Sequence, residues 1–298
     1  MGPLQTLVRE YMGQRHPMML RGLVEARSIS PEVVDTNFEK CLKWIVESFS
    51  EDALKNIVDG YAIFTLEVNR AQLAYERRGT YEFSTFAEAN SRVYQHAEYM
   101  KNYYWGIFAI LFCWSHYVEL MEFFLSRFVR ELKSGRLLEV APGHGIWGCL
   151  AIQGNPHLSL EGWDISPTSL EMATRIAAGA GLSKRASYKT GDATQIRNDE
   201  PQYDSGICCF MLEHLEDPGD FLKKFAHNLK KGAPAFVTLA LTAAQTDHIY
   251  EFKHESEAVK MAQLAGFEII EGRIARPMRQ ACGAKFVPRV QAMLLRKK

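Results

Sequence analysis

The sequence has no excess of charge of either sign, since 35 Lys and Arg residues balance 35 Asp and Glu residues among 298. A protein that grips a nucleic acid backbone usually carries a basic surplus, so this balance argues against a nucleic acid partner. Hydrophobic residues make up 47% and charged residues 23%, which excludes a disordered chain of low hydrophobicity. The composition predicts a globular protein that holds one large domain or two.

A hydrophobic run long enough to cross a bilayer is also missing. The most apolar stretch, 103–114, is too short to span, and His116 and Glu119 follow it closely. No secretory signal opens the chain. We therefore expect a soluble, cytoplasmic protein with no membrane partner, and the oligomeric state stays open.

The six cysteines include no Cys-x-x-Cys pair, the spacing that is typical of zinc sites and redox motifs. Cys208 and Cys209 are neighbours inside an apolar run, which is typical of small core residues. We expect reduced, buried thiols and no metal site.

The two parts of the chain have different patterns. In residues 1–130, apolar residues such as Phe38, Leu42 and Ile45 recur at helical spacing, which predicts a helical region. From residue 131 onwards, short β-type runs alternate with helical stretches, and this alternation predicts an α/β fold with a mostly parallel sheet covered by helices on both faces. The predicted strands are 136–140, 158–163, 186–189, 206–211, 235–241, 267–274 and 290–295.

The strongest motif lies at the end of the first predicted strand, where Gly143-His144-Gly145-Ile146-Trp147-Gly148 opens a helix. Without a Cβ, the backbone of residues 143–145 can lie against a ligand, and helix-start amides can meet a polar group. The spacing also matches the dinucleotide pattern. However, Glu139 precedes the loop, and its carboxylate would repel a pyrophosphate but suit a ligand that carries an ammonium group.

Residues 136–241 resemble the class I S-adenosylmethionine-dependent methyltransferases. Glu139 and the glycine loop match the first motif of that family, with Ala141 in place of its first glycine. Asp164 matches the acid that holds the ribose hydroxyls, and Gly191-Asp192-Ala193 matches the segment that binds the adenine amino group. The resemblance implies a Rossmann-like, doubly wound, seven-stranded sheet whose last strand is antiparallel, with residues 1–130 as an N-terminal helical cap and 131–298 as the cofactor domain. It implies S-adenosyl-L-methionine as cofactor, bound by Glu139, Ala141, Gly143, Gly145, Asp164, Ile165, Asp192 and Ala193.

Candidate catalytic residues lie on the loops after the strands and on the helical cap. His214 follows the fourth predicted strand, and His248 and Tyr250 follow the fifth, so all three belong to the carboxyl edge of the sheet. A sulfonium is attracted to aromatic faces, and helical segments close over the cofactor in many relatives. We therefore expect Tyr99 to contact the cofactor, and Tyr104 and His116 to act near the reacting centre.

These residues predict a methyltransferase that acts on a small molecule, in bacterial secondary metabolism. The chain lacks the Asn/Asp-Pro-Pro-Tyr signature of enzymes that methylate nucleic acid amines. The aromatic cap and the Asp-His-Ile-Tyr loop also resemble azetidine-forming enzymes of the same family, in which the amine of the cofactor attacks its own γ-carbon and methylthioadenosine is released. A protein that binds the cofactor without turnover and a dinucleotide oxidoreductase stay as further alternatives.

Overall fold

The computed structural model describes residues 1–91, 97–196, 202–280 and 283–298, and for residues 97–99, 101 and 193 it describes the backbone only. The side chains of Tyr99 and Ala193, two predicted cofactor-binding residues, therefore lie outside the described part of the structure.

Helices build the N-terminal region, as the apolar spacing predicts. The longest is α4, which ends where Gly79 takes up a left-handed conformation with φ of 79°. Helix α5 begins with a capping box between Thr85 and Glu88. The bounds are α1 Pro3–Arg15, α2 Leu20–Ile29, α3 Glu39–Phe49, α4 Ala53–Arg78, α5 Phe86–Ala89, α6 Ala97–Cys113 and α7 Ser115–Phe123, with π-helical turns at Val33–Phe38 and Phe124–Val129.

The second part of the chain forms a seven-stranded sheet. The strands are β1 Gly135–Val140, β2 Leu158–Asp164, β3 Ala186–Thr190, β4 Ser205–Cys209, β5 Pro234–Leu241, β6 Phe267–Ala275 and β7 Arg289–Lys297. Their order is β3-β2-β1-β4-β5-β7-β6. Neighbouring pairs among β1 to β5 are parallel, whereas β7 is antiparallel to both β5 and β6. The predicted doubly wound sheet with an antiparallel last strand is confirmed.

The fourth strand is shorter than predicted at its carboxyl end. It ends at Cys209 rather than at residue 211, because Phe210 has a φ of 53°, which an extended strand does not allow. A 3₁₀ turn, Leu212–His214, follows directly. This early end turns the side chains after β4 towards the carboxyl edge of the sheet.

Helices connect the strands and begin at the capping residues that the sequence indicates. The hydroxyl of Ser166 accepts a hydrogen bond from the Ser169 amide, and the Asp217 carboxylate accepts one from the Asp220 amide. Proline follows each cap at the first helical position. These helices are α8 Ile146–Gln153, α9 Pro167–Gly179, α10 Pro218–Asn228 and α11 Glu255–Leu264.

One hydrophobic core joins the N-terminal helices to the sheet. It includes Phe112 of α6 together with Leu137 of β1 and Phe236 of β5. Phe124 packs edge-on against Trp147 of α8, with ring centroids 4.9 Å apart. Because this packing is continuous, the N-terminal helices are held over the sheet, and the division at residues 130 and 131 stays a prediction.

Within the described ranges, no single helix is long and apolar enough to cross a membrane. The pair Asn102–Cys113 and Ser115–Val129 passes such a test by length and composition only, and the two segments are bent by 77°.

Candidate functional site

The carboxyl ends of the central strands border a cavity of about 420 Å³. Strand order reverses between β1 and β4, and ligands in open α/β sheets bind at such a switch point. Helix α6 covers the cavity from the N-terminal side. An adjoining cavity of about 310 Å³ shares Asp164, Ile165 and His214 with it. Of the predicted site residues, the larger cavity is lined by Tyr104, Glu139, Ala141, Gly143, Asp164, Ile165, His214 and His248.

Glu139 lies at the floor of the larger cavity and is 1% exposed. Its Oε1 accepts a hydrogen bond of 3.0 Å from the Gly148 amide, whereas its Oε2 has no hydrogen-bond partner among the described residues. Burial raises the pKa of this carboxyl group to about 8. A buried carboxylate with one unpaired oxygen is suited to a ligand that carries a positive charge. This agrees with the sequence analysis, in which Glu139 suits a ligand with an ammonium group.

The glycines of the loop have distinct structural reasons. Gly145 has a φ of 73°, and a Cβ there would lie 2.9 Å from the Cβ of Ala173. A Cβ on Gly148 would collide with Oε2 of Glu139. Gly148 therefore lets the Glu139 side chain lie beneath helix α8. In the sequence analysis Gly148 appears only as the last glycine of the dinucleotide pattern.

Asp164, at the end of β2, is buried and connects two loops of the site through hydrogen bonds. Its carboxylate accepts hydrogen bonds from the amides of Gly143 and Ser166, at 3.3 and 2.9 Å, and from the Ser169 hydroxyl. Burial raises its pKa despite these bonds. The hydroxyls of Tyr104 and Ser166 lie 2.9 Å apart, so α6 is connected to this loop.

Asp192 is exposed and lines the smaller cavity. Its Oδ1 accepts a 2.8 Å hydrogen bond from the Thr194 amide. Ile165, which is 55% exposed, contributes to both cavities. The acids at 164 and 192 thus border one continuous space after β2 and β3.

Three non-glycine residues with positive φ surround the site. Ala141 follows β1 with φ of 51°, Phe210 follows β4 with φ of 53°, and Thr242 follows β5 with φ of 47°. Such conformations cost L-residues about 1 kcal/mol or more and cluster at functional sites. Ala141, the residue that replaces the first glycine of the motif, therefore keeps the backbone shape that glycine would adopt.

Two histidines from different loops meet opposite the glycine loop. His214 Nδ1 lies 3.1 Å from the backbone oxygen of Asp247, and His248 Nδ1 lies 2.8 Å from that of Ala243. The ring centroids are 4.9 Å apart. Burial, reinforced by the neighbouring His214, lowers the pKa of His248 to about 4, so its imidazole is neutral.

Glu213 lies beside these histidines, and the sequence analysis did not single it out. It is fully buried, lines the larger cavity and accepts a hydrogen bond of 3.2 Å from the Ala240 amide at Oε1. Burial raises its pKa to about 7. The available signal was an acid within the segment that follows the fourth strand.

His116 and Tyr250 lie elsewhere, in contrast to their predicted catalytic placement. His116 is buried, stacks on Trp114 with centroids 5.4 Å apart, and is not among the described residues that line either cavity. Tyr250 packs on Phe252 instead, with centroids 4.6 Å apart, and also lies outside both linings. His116 is buried in the helical layer and Tyr250 is partly buried, and the catalytic roles of both stay predictions.

An aromatic wall covers the larger cavity. Phe210 stacks on Tyr117 with centroids 4.7 Å apart, and Phe64 packs edge-on against Tyr103 with centroids 5.7 Å apart. Aromatic faces attract sulfonium and ammonium groups. The cavity therefore combines three buried acids with aromatic surfaces, a combination that favours a cationic ligand.

Comparison with known proteins agrees with this geometry. Residues 137–232 match the family described as methyltransferase domain. This chain contains a class I S-adenosylmethionine-dependent methyltransferase domain. The methyl donor of the family is S-adenosyl-L-methionine, so the predicted family and its cofactor are confirmed.

The methyltransferase domain is also similar to individual proteins. Ajmaline N-methyltransferase from Rauvolfia serpentina is 29% identical over 108 residues, which cover 36% of either chain. The match thus spans about a third of the length of that curated relative. An O-methyltransferase family protein from Burkholderia thailandensis has a TM-score of 0.58 at 12% identity, covering 82% of this chain and 72% of that one. The cyclase SpnF has a TM-score of 0.51 at 15% identity, covering 62% of this chain and 83% of that one. These two structures share the fold.

Proposed function

We propose that this protein transfers the methyl group of S-adenosyl-L-methionine to a small molecule held between the carboxyl edge of the sheet and helix α6. The observation that carries the proposal is that one cavity of about 420 Å³ contains both the Glu139–Asp164 end and the Glu213–His214–His248 end. Binding sites for small molecules are cavities of this size with a few polar groups in an apolar lining.

The cofactor seat is assigned to Glu139 and Asp164. The unpaired Oε2 of Glu139 would receive the ammonium group of the cofactor, and the Asp164 carboxylate would accept the ribose hydroxyls. Asp192, in the adjoining cavity, is placed to accept from the adenine amine. When bound, the cofactor supplies a sulfonium whose methyl carbon is open to nucleophilic attack.

The acceptor side is assigned to His214 and His248. Both line the cavity, and the neutral imidazole of His248 can receive a proton from a nucleophile. Tyr104 is assigned a positioning role, because its hydroxyl meets Ser166 beside Asp164. A nitrogen acceptor is supported by the Rauvolfia serpentina relative, which is named for N-methylation of ajmaline.

The acceptor in this proposal is not a nucleic acid, which is supported by the zero net charge and by the aromatic lining of the cavity. The proposal keeps the expected role in bacterial secondary metabolism.

The second candidate is intramolecular: the amine of the cofactor attacks its own γ-carbon and releases methylthioadenosine. The aromatic wall of Tyr103, Tyr117 and Phe210 favours it, because an apolar lining leaves few polar groups to orient a second substrate and disfavours a charged amine.

One incubation separates the two candidates. The purified protein is mixed with S-adenosyl-L-methionine alone, then with a panel of small amines, phenols and carboxylic acids, and the released nucleoside is identified by mass spectrometry. Methyl transfer predicts S-adenosylhomocysteine only when an acceptor is present. Methylthioadenosine without an acceptor would contradict methyl transfer and support cyclisation.

A further inference from the structure

Glu213, His214 and His248 form a compact group of ligand-type side chains on the acceptor side of the larger cavity. One nitrogen or carboxylate oxygen from each lies within 4.8 Å of the others. The residues come from two loops, the 3₁₀ turn after β4 and the segment after β5, which the sheet brings together. Their separation in sequence explains why no metal-ligand spacing was visible and no metal site was predicted.

The orientation of both imidazoles follows the pattern of metal-binding histidines. Such histidines donate one ring N–H to a backbone carbonyl or carboxylate, which fixes the tautomer and leaves the other nitrogen with its lone pair. His248 Nδ1 meets the Ala243 carbonyl at 2.8 Å, and His214 Nδ1 meets the Asp247 carbonyl at 3.1 Å. The Asp247 carboxylate adds a second outer contact, 3.6 Å from His214 Nδ1.

Glu213 supplies an independent observation that points to a cation. It is 0% exposed, and its Oε2 has no hydrogen-bond partner among the described residues. A bound cation would give this buried oxygen the partner that the described residues do not supply.

We infer that Glu213, His214 and His248 bind one divalent transition-metal ion, with a coordination position left open towards the cavity. Two imidazoles and one carboxylate suit Zn²⁺ and its first-row neighbours rather than Mg²⁺ or Ca²⁺. Three protein ligands with an open position are the arrangement of reactive rather than purely structural zinc sites. Zinc–nitrogen bonds of about 2.0 Å place tetrahedral ligand atoms about 3.3 Å apart, so binding draws the three side chains together.

The inference concerns metal binding alone, and an ion bound by His248 would replace the proton-accepting role that the proposed function gives to that imidazole. The test uses the full-length protein, treated with a chelator and desalted, and titrated with Zn²⁺ by calorimetry and with Co²⁺ by visible absorption. We expect one equivalent to bind, with a Kd on the order of 1 µM or tighter. Co²⁺ should give the absorption of a nitrogen- and oxygen-ligated ion of low coordination number.

Variants locate the ion. His248→Ala and Glu213→Gln should each weaken Zn²⁺ binding by about 100-fold, since each removes one of three ligands. His157→Ala serves as the matched control, because His157 is an exposed histidine far along the chain from this cluster. It should bind Zn²⁺ like the wild type. Circular dichroism of each variant establishes that it is folded before its titration is compared.

Several outcomes would overturn the inference. A wild-type protein that binds neither Zn²⁺ nor Co²⁺ refutes it without recourse to any variant. Folded His248→Ala and Glu213→Gln proteins that bind Zn²⁺ as the wild type does would place the ion elsewhere. If the wild type binds neither metal ion but methylammonium raises its thermal stability, the unpaired Glu213 oxygen binds an amine rather than a metal ion.

Discussion

Replacing Glu139 by glutamine should change protein stability and cofactor affinity in opposite directions. The side chain keeps its shape and can still accept from the Gly148 amide, but it no longer places a negative charge at the floor of the cavity. The wild-type carboxyl group titrates with a pKa of about 8 in the folded protein, against 4.5 for the ordinary group, because burial disfavours its charged form.

The sign of the stability effect follows from this raised pKa. The folded protein holds the proton more tightly than the unfolded chain, so the contribution of Glu139 is fully present below pH 4.5 and is lost as pH rises towards 8. At about 1.4 kcal/mol per pH unit, the unfolding free energy of the cofactor-free wild type should fall by about 4 kcal/mol from about pH 5 to about pH 8. Glu139→Gln should lack this decline.

Glu139→Gln should weaken cofactor binding, although it removes the loss of stability at high pH. Removing the charged partner of a buried ammonium costs about 2 kcal/mol or more, so Glu139→Gln should bind S-adenosylhomocysteine at least about 30-fold more weakly. Urea denaturation followed by tryptophan fluorescence measures stability at both pH values, and titration calorimetry measures affinity. Glu122→Gln, at an exposed position of α7, is the control for loss of one negative charge.

Two results would refute this reasoning. If Glu139→Gln bound S-adenosylhomocysteine as tightly as the wild type, the carboxylate would not receive the ammonium group. If the unfolding free energy of Glu139→Gln fell with rising pH as that of the wild type does, titratable groups other than Glu139 would cause the fall.

Three further substitutions test the glycine loop after β1 and helix α6, which covers the cavity. Gly148→Ala should weaken S-adenosylhomocysteine binding by about 10-fold or more in calorimetry, because its Cβ collides with the Glu139 carboxylate; unchanged affinity would contradict this. Ala141→Gly should raise the unfolding free energy in urea by about 1 kcal/mol, since it relieves a φ of 51°, and a loss of stability would show that the methyl group packs usefully. Tyr104→Phe should raise the Kd for the cofactor about 5-fold by removing the hydroxyl contact to Ser166, and no change would remove Tyr104 from the positioning role.

The sheet was predictable because its strands are short β-type runs, most of them apolar, that alternate with helical stretches. All seven predicted strands are present, with ends that differ by a few residues at most. The early end of β4 arises from the left-handed conformation of Phe210. A positive φ at a non-glycine residue cannot be recognised from the sequence, because the surrounding packing imposes it.

The cofactor end of the site was also predictable from the sequence, since parallel strands bring the residues after them to one edge. Glu139 and Asp164 lie at the carboxyl ends of β1 and β2, Asp192 follows β3, and all three line the two adjoining cavities. Topology alone gives this convergence once the strands are in order.

The acceptor end was less accessible to sequence reasoning. His116 and His248 are both histidines near apolar segments, yet one stacks inside the helical layer and the other lines the cavity. The direction of a side chain depends on helix rotation and turn geometry, which periodicity does not fix. Glu213 was missed for the same reason, because a 3₁₀ turn directs it inward.

The most direct test of the account is a crystal structure of the protein with S-adenosylhomocysteine. The account predicts the amino group of the ligand in hydrogen-bond contact with Oε2 of Glu139, its ribose hydroxyls on the Asp164 carboxylate, and its sulfur facing His214 and His248. A ligand seated with its amino group away from Glu139, or bound outside the cavity after β1, would contradict it.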